Sequence, residues 1–139
     1  MSSTLLLGLV VVVGAPAPKD KVDPSRIEGD WKLTEYIQAG REEPERTGIV
    51  FRIGDGKFLT IGQKEQVDYN LDAKTDPPSI DLLPPKNVKE GIILGIYKVD
   101  GDTLTICFTK GAGADRPKKF ESPADAKIVL MKLKRVKKD

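Results

Sequence analysis

The chain of 139 residues contains no histidine. This absence excludes Ser-His and Cys-His catalytic arrangements and every zinc site that needs an imidazole ligand. It also removes the side chain best suited to proton transfer near neutral pH. Carboxylate, lysine or tyrosine chemistry stays open, but we expect a protein that is not an enzyme and has no catalytic residue, metal or cofactor.

A single cysteine, Cys107, excludes an intrachain disulfide. It lies in a β-rich run beside Ile106 and Phe108, and no lysine or arginine adjoins it. A reactive thiol needs an electropositive and exposed setting. The sequence therefore favours a packed, apolar role for Cys107.

Neither sign of charge is in excess, because 23 Lys and Arg residues face 21 Asp and Glu residues for a formal net charge of +2. A nucleic-acid-binding protein usually concentrates its basic residues on one face. The balance instead predicts a solvated surface of mixed charge and no nucleic-acid partner. The basic carboxyl end fits an outward strand face, since Lys132 and Lys134 alternate with Met131 and Leu133; a weak contact with anionic lipid or polymer is the alternative.

One long apolar run, residues 5–13, lies near the amino terminus and precedes the small residues Gly-Ala-Pro-Ala-Pro. This order is typical of a secretory signal, and the run is too short to span a bilayer. We expect an export signal at 1–17, a linker at 18–26, a barrel domain at 27–136 and a basic tail at 137–139. The protein would then be periplasmic, extracellular or in the cell envelope, with no stable membrane span after signal removal. The alternative is an uncleaved or misassigned start, because no basic residue precedes the run and prolines crowd the cleavage points.

The remaining chain lacks any long helical pattern and consists of short alternating runs separated by Gly, Pro and Asp. Such spacing predicts an all-β protein. Eight strands are predicted, at residues 31–38, 49–53, 57–61, 65–71, 79–83, 92–99, 102–109 and 127–135. Short turns indicate an eight-stranded antiparallel up-and-down meander. Closure into a lipocalin-like barrel removes the two edges, and eight strands give an interior that is filled by side chains or holds one small ligand.

The dipeptide Asp100-Gly101 between two β-rich runs is the strongest hairpin signal in the chain. A two-residue loop at these positions pairs Tyr97 with Leu104 and directs Tyr97 into the barrel. A three-residue loop would reverse the faces and place Ile96 opposite Ile106. We favour the first register, which leaves three apolar side chains outside and in need of cover: Ile92, Leu94 and Ile96.

Two motifs at the ends of the predicted barrel resemble those of lipocalins. Gly29-Asp30-Trp31 opens the first strand, as Gly-x-Trp does in lipocalins, and Arg135 ends the last strand, where lipocalins often carry an arginine that packs across that tryptophan. Such a cation–π contact is worth roughly 0.5–2 kcal/mol and would close the base of the barrel. The resemblance implies that Trp31 and Arg135 form a structural pair.

Further motifs extend the resemblance from about Ile27 to Arg135. They are Gly95-Ile96-Tyr97, Asp100-Gly101-Asp102-Thr103-Leu104, Cys107-Phe108, Asp115-Arg116-Pro117 and Phe120. Together with the terminal motifs, they make the chain similar to an uncharacterised bacterial family of small exported lipocalin-like (calycin-type) β-barrel domains. The resemblance implies a lipocalin-like fold and an export signal, and it implies nothing about a substrate. The chain is short for a lipocalin that carries a ligand.

The residues and the resemblance together predict an exported small β-barrel binding module for a small apolar ligand or a partner surface. Ligand sites are mostly apolar with a few placed polar groups. On that basis Phe51, Tyr69 and Tyr97 are the predicted lining of a pocket. The alternative is a structural or protein-interaction domain with a packed core and no ligand. A third hypothesis is an enzyme that uses carboxylates such as Asp68 and Asp81 on neighbouring strands.

Overall fold

The computed structural model describes residues 24–62, 66–83, 91–110 and 114–137. The predicted export signal and most of the predicted linker lie outside the described residues. Within the described ranges the strands are β1 (Gly29–Gln38), β2 (Arg41–Glu42), β3 (Val50–Gly54), β4 (Lys57–Thr60), β5 (Gln66–Asp72), β6 (Ser79–Leu83), β7 (Ile93–Asp100), β8 (Thr103–Thr109) and β9 (Ile128–Arg135). Two short 3₁₀ turns, Pro24–Ile27 and Pro44–Arg46, accompany them.

Eight of these strands form a closed antiparallel barrel. β1 and β3 to β9 pair in chain order, and β9 pairs again with β1. The short strand β2 pairs with the last residues of β1 and lies outside the barrel. The predicted eight-stranded closed meander is therefore confirmed, and its shape is consistent with a lipocalin-like barrel. The extra strand lies between the predicted strands at 31–38 and 49–53, where no strand was predicted.

A β-bulge at Thr34 divides β1 into two halves. Leu33 pairs with Leu133 on β9, but the next pair is Glu35 with Lys132, so Thr34 is the extra residue. Its hydroxyl donates a hydrogen bond to the Lys132 carbonyl oxygen at 3.0 Å. A bulge of this kind shifts the alternation of the strand by one residue. The side chains that face inward change accordingly from odd to even positions.

The barrel interior is packed with apolar side chains. The buried cluster consists of Ile27, Trp31, Leu33, Ile53, Phe58, Tyr69, Ile80, Tyr97, Leu104, Ile106, Val129, Met131 and Leu133. Fully burying a side chain of the Val, Leu, Ile or Phe type stabilises a fold by roughly 1.5–3 kcal/mol. The residues of this cluster come from the 3₁₀ turn Pro24–Ile27 and from all eight barrel strands. A single core therefore holds the domain together.

The hairpin between β7 and β8 differs from the predicted one by two residues. Asp100 pairs with Thr103, so the loop is Gly101-Asp102, and Tyr97 lies opposite Ile106. Gly101 has a φ of 61°, as the first position of a type II′ turn requires. The predicted pairing of Tyr97 with Leu104 is therefore wrong. Since the shift is two residues, the predicted inward face of Tyr97 is correct, and the three-residue loop is excluded.

Gly95 is closely packed in the observed register. It lies opposite Phe108, and a Cβ atom on Gly95 would stand 3.0 Å from the Phe108 Cβ and 2.8 Å from the Cys107 carbonyl oxygen. A residue without a side chain thus makes room for a large inward neighbour. In the predicted register, Gly95 would instead oppose Ile106.

Residues 114–126, here called the strap, cross the outer face of β7, β8 and β9. Phe120 packs on an outer cluster whose buried members are Ile96, Cys107 and Leu130. Ser122 fastens the strap, because its hydroxyl donates to the Ile128 carbonyl oxygen at 2.6 Å and accepts the Gly40 N–H at 3.2 Å. The strap supplies the cover that the outward apolar residues were predicted to need.

This cover corrects the predicted outer apolar patch. Ile96 is 1% exposed beneath Phe120, so it offers no surface to a partner. Ile92 is 52% exposed and Leu94 is half-buried. The outer surface therefore keeps two of the three apolar side chains that the sequence predicted there.

We expect Gly95→Ala to lower the free energy of unfolding by about 1–3 kcal/mol, because the new methyl group overpacks a filled site. Gly54→Ala is the matched control, since its Cβ would meet nothing within 4 Å. The control should be neutral or slightly stabilising. Urea denaturation of both variants measures the difference, and equal losses would contradict the close packing at Gly95.

The thiol of Cys107 provides a probe of the strap. Its Sγ lies 3.5 Å from the Lys119 carbonyl oxygen and 3.6 Å from that of Glu121, and burial raises the pKa of the Cys107 thiol. We expect native protein to react slowly with a thiol reagent at pH 8. Phe120→Ala should speed the reaction roughly tenfold for each 1.4 kcal/mol of local stability that is lost.

Leu59→Ala is the control for this experiment, because Leu59 is half-buried on β4, away from the strap. Its labelling rate should stay near that of the wild type. Prompt labelling of wild-type protein, or equal acceleration in both variants, would show that the strap does not protect Cys107.

Candidate functional site

The two ends of the barrel are built differently. At one end, here called the closed end, β1 begins, β9 ends, and two-residue turns join β3 to β4 and β7 to β8. At the other end, here called the mouth, β1 ends at Gln38 and β8 ends at Thr109. β4 and β6 also end at the mouth, whereas residues 73–78 join β5 to β6 at the closed end.

Trp31 and Arg135 form the closed end. The Arg135 Cζ lies 4.2 Å from the centre of the Trp31 ring. Its Nη1 donates to the Glu28 carbonyl oxygen and its Nη2 to that of Arg26, both at 2.9 Å. The indole Nε1 of Trp31 donates to the Ile27 carbonyl oxygen at 2.8 Å. One arginine and one indole thus hold the first 3₁₀ turn across the base of the barrel, in the arrangement that the resemblance implied.

The mouth keeps a ring of apolar side chains that face inward but are only half-buried. They pack on the core cluster and remain partly accessible to solvent. The ring, here called the mouth ring, consists of Tyr36, Phe51, Val67, Leu82 and Phe108. At the closed end, Leu71 and Val99 are the corresponding half-buried members. Inward apolar surface is therefore concentrated at the mouth.

The structure places the three predicted lining residues in one interior at different depths. Phe51 belongs to the mouth ring, and its ring centroid lies 5.0 Å from that of Phe58. Tyr69 is 8% exposed and Tyr97 is 0% exposed, so both belong to the packed core. In this conformation Phe51 is the predicted residue that a molecule at the mouth would touch first.

Tyr69 lies towards the closed end, where its backbone N–H donates to the Gly56 carbonyl oxygen at 2.9 Å. Burial raises the pKa of the Tyr69 phenol, and the nearby charges of Glu28 and Asp55 raise that pKa further. The phenol therefore stays protonated across the physiological range. It contributes a neutral hydroxyl to the packed interior.

Four members of the mouth ring were missed from the sequence: Tyr36, Val67, Leu82 and Phe108. Strict alternation from Trp31 places Glu35 and Ile37 inside, and the bulge at Thr34 replaces them with Tyr36 and Gln38. A charged residue at the expected inward position 35 was the available signal. Ile37 instead packs outside, beside the strap.

Tyr36 is held in place from outside the barrel. The Arg46 Cζ lies 5.0 Å from the centre of the Tyr36 ring, and Arg46 also forms an ion pair with Glu43. Burial raises the pKa of the Tyr36 phenol, although the positive charge of Arg46 acts in the opposite direction. The second 3₁₀ turn thereby fixes one side of the mouth ring.

The carboxylates considered for catalysis do not converge. Asp68 forms an ion pair with Lys57, and Asp81 forms one with Arg116 at 2.8 Å. Both face outward, and each has its own cation. In the described ranges, no group of three or more Cys, Asp or Glu side chains could hold a metal ion.

No protein-family model, curated protein or solved structure matches this chain. Among the described residues, no helix has the length and apolar character needed to cross a membrane.

We expect Arg135→Lys to lower the free energy of unfolding by about 1–3 kcal/mol, because an ammonium group cannot reproduce the planar fork that bonds two carbonyls and stacks on Trp31. Arg52→Lys is the matched control, since the Arg52 side chain is 58% exposed and pairs with Asp30 at 2.9 Å without stacking on a ring. Exposed pairs contribute about 0–1 kcal/mol. Thermal and urea unfolding would measure both, and a smaller loss in Arg135→Lys than in the control would contradict its role.

Proposed function

We propose that this protein is an exported, lipocalin-like binding module that takes a small apolar ligand, or an apolar group of a partner, at its mouth. The observation that carries the proposal is the difference between the two ends. Trp31 and Arg135 close one end, while the mouth ring leaves inward apolar side chains half-exposed. Inward apolar surface that stays half-exposed is what an apolar ligand can cover.

Hydrophobic burial supplies the affinity in this proposal. Each Å² of apolar surface removed from water contributes roughly 25 cal/mol. The mouth ring combines two phenyl rings, one phenol and two aliphatic side chains, so it offers apolar contact with a polar hydroxyl at its rim. The ring suits a ligand that is mainly hydrocarbon and carries a hydrogen-bonding group.

The interior favours binding over catalysis. Among the described residues, no Asp, Glu, Lys or Arg side chain is buried, and the titratable groups of the packed core are the phenols of Tyr69 and Tyr97. General acid–base catalysis needs a titratable group within hydrogen-bond reach of the reacting atom. The proposal accordingly includes no catalytic residue and no cofactor.

Export is supported by the sequence. The apolar run at residues 5–13 and the small residues after it have the order of a secretory signal. The resemblance to small exported lipocalin-like domains points to the same location. The barrel would then act in the periplasm, in the cell envelope or outside the cell.

A pair of valine substitutions tests the mouth. Val67 is a half-buried inward residue at the mouth end of β5, and Val99 is its counterpart at the closed end of β7. Titration with the fluorescent probe 1-anilinonaphthalene-8-sulfonate should show saturable binding to wild-type protein. We expect Val67→Glu to weaken this binding by roughly tenfold or more, because removing the new carboxylate from water beneath the probe costs free energy. Val99→Glu should leave the binding near the wild-type value.

Equal binding in wild type and both variants, or equal losses in both, would contradict a binding mouth. Circular dichroism would show whether each variant is folded. If a glutamate variant is unfolded, Val67→Thr and Val99→Thr give the same comparison with an isosteric change. Native mass spectrometry of protein from its own cell envelope then reveals whether a ligand is retained.

The second candidate function is a structural or protein-interaction domain without a ligand. The filled core around Tyr97 favours it, as does the exposure of Ile92. Failure of wild-type protein to bind the probe, together with an empty mass spectrum, would support this alternative.

A further inference from the structure

A second concave feature lies outside the barrel, between residues 73–78 and the strap. Two adjoining cavities of about 220 Å³ and about 450 Å³ share Thr75, Ser79 and Arg116. The smaller cavity also reaches Asp81, and the larger one has Pro77 and Pro117 in its wall. Together these cavities form one groove, here called the strap groove, which is separate from the mouth.

Arg116 lines the strap groove and contacts the described residues through one nitrogen of its guanidinium group. Its Nη1 lies 2.8 Å from Asp81 Oδ1 and donates to the Gly95 carbonyl oxygen at 2.8 Å and to that of Ile80 at 3.4 Å. Every one of these contacts uses Nη1, whereas a guanidinium carries five N–H donors. Nε and Nη2 therefore keep their hydrogens, and this edge can bind a carboxylate through two parallel hydrogen bonds.

Acceptors lie beside this edge. Asp81 Oδ1 is buried against Arg116 in a charge–charge contact, while the side chain as a whole is 33% exposed, which leaves Oδ2 as the accessible oxygen. The Thr75 hydroxyl donates to the Pro77 carbonyl oxygen at 2.8 Å and lies 2.7 Å from Ser79 Oγ. Ser79 lines both cavities although it is 6% exposed, and its oxygen keeps a lone pair that can accept, whichever of the two hydroxyls donates to the other.

Donors next to acceptors match a particular head group. An α-amino acid carries a carboxylate next to an ammonium group, and the Arg116–Asp81 pair carries a guanidinium edge next to a carboxylate. The amino acid has no net charge, and neither has the Arg116–Asp81 pair. Binding would therefore leave no unpaired charge between them. The groove carries the carboxylates of Asp72, Asp76 and Asp81 against the cations of Arg116 and Lys118, so a ligand that brings its own ammonium group matches it better than a simple anion does.

The larger cavity indicates the side chain of such a ligand. Pro77 and Pro117 line it, so its wall has an apolar part, and about 450 Å³ lies within the range of small-molecule sites. We propose that the strap groove binds an α-amino acid with an apolar side chain. Its carboxylate pairs with Nε and Nη2 of Arg116, and its ammonium group bonds Asp81 Oδ2 and Ser79 Oγ.

Leucine and two analogues test this assignment on the full, wild-type chain. Leucinamide lacks the carboxylate, and 4-methylpentanoate lacks the ammonium group. We expect leucine to cause saturable shifts of the Thr75, Ser79 and Arg116 amide signals in ¹H–¹⁵N spectra. Each analogue should bind at least roughly tenfold more weakly than leucine, because each loses one ion pair. No saturable shift with leucine, or equal affinity for all three compounds, would overturn the proposal.

Two variants separate this site from the mouth. Arg116→Lys keeps a positive charge beside Asp81 but lacks the Nε–Nη2 edge, so leucine binding should fall by roughly tenfold or more. Val67→Glu lies at the mouth and should leave leucine binding unchanged. Unchanged binding in Arg116→Lys, or lost binding in Val67→Glu, would place leucine elsewhere. If Arg116→Lys does not fold, the analogue series on wild-type protein still decides.

Discussion

The hydrogen-bonded ladder between the last strand and the first is the constraint on which the barrel depends. Without it, β1 and β9 would each present an unpaired edge, and an open sheet of eight strands would expose one flank of its core. The same ladder brings Arg135 directly opposite Trp31. Closure of the sheet and closure of the base are therefore a single event, although the two residues are 104 positions apart in the chain (135 minus 31).

The bulge at Thr34 gives this closing ladder two functions. Before the bulge, β1 contributes Trp31 and Leu33 to the core near the closed end. After it, the strand turns Tyr36 towards the mouth and Ile37 towards the strap. One extra residue thus divides a ten-residue strand between the interior and the outer cluster. The character of the mouth follows from a local irregularity in the strand that also closes the barrel.

Much of the fold could be predicted from the sequence, because the barrel strands are short and every segment between them contains Gly, Pro or Asp. The faces of β7 were also predictable, since any two-residue loop near Gly101 leaves Tyr97 inside. The register was not, because Asp100-Gly101-Asp102 contains two overlapping loops that both suit a hairpin. The dipeptide Asp55-Gly56, with φ values of 51° and 73°, forms the two-residue loop between β3 and β4. Asp100-Gly101 has the same sequence, but Asp100 is the last residue of its strand and lies outside the loop. The observed loop pairs Gly95 with Phe108 across the strands, a contact that no local pattern in the sequence reveals.

The sites were less accessible to sequence reasoning. Of the predicted lining residues, Phe51 reaches the mouth, and Tyr69 and Tyr97 lie deeper in the packed core. The bulge hides Tyr36 from any argument based on alternation. Arg116 belongs to the motif Asp115-Arg116-Pro117, but two of its hydrogen-bond partners are the carbonyl oxygens of Gly95 and Ile80. Backbone acceptors carry no residue signature, so the strap groove appears when the chain is folded and not before.

The strap has a consequence for covalent stability. Cys107 is the single sulfhydryl of the chain, and it lies under Phe120 with no exposed surface. No second cysteine in the chain can bond it, and a thiol from another molecule cannot reach it while the strap is in place. The fold therefore has the same covalent structure in an oxidising and in a reducing compartment. A barrel that passes from one to the other would need neither a disulfide to stabilise it nor a reductant to protect it.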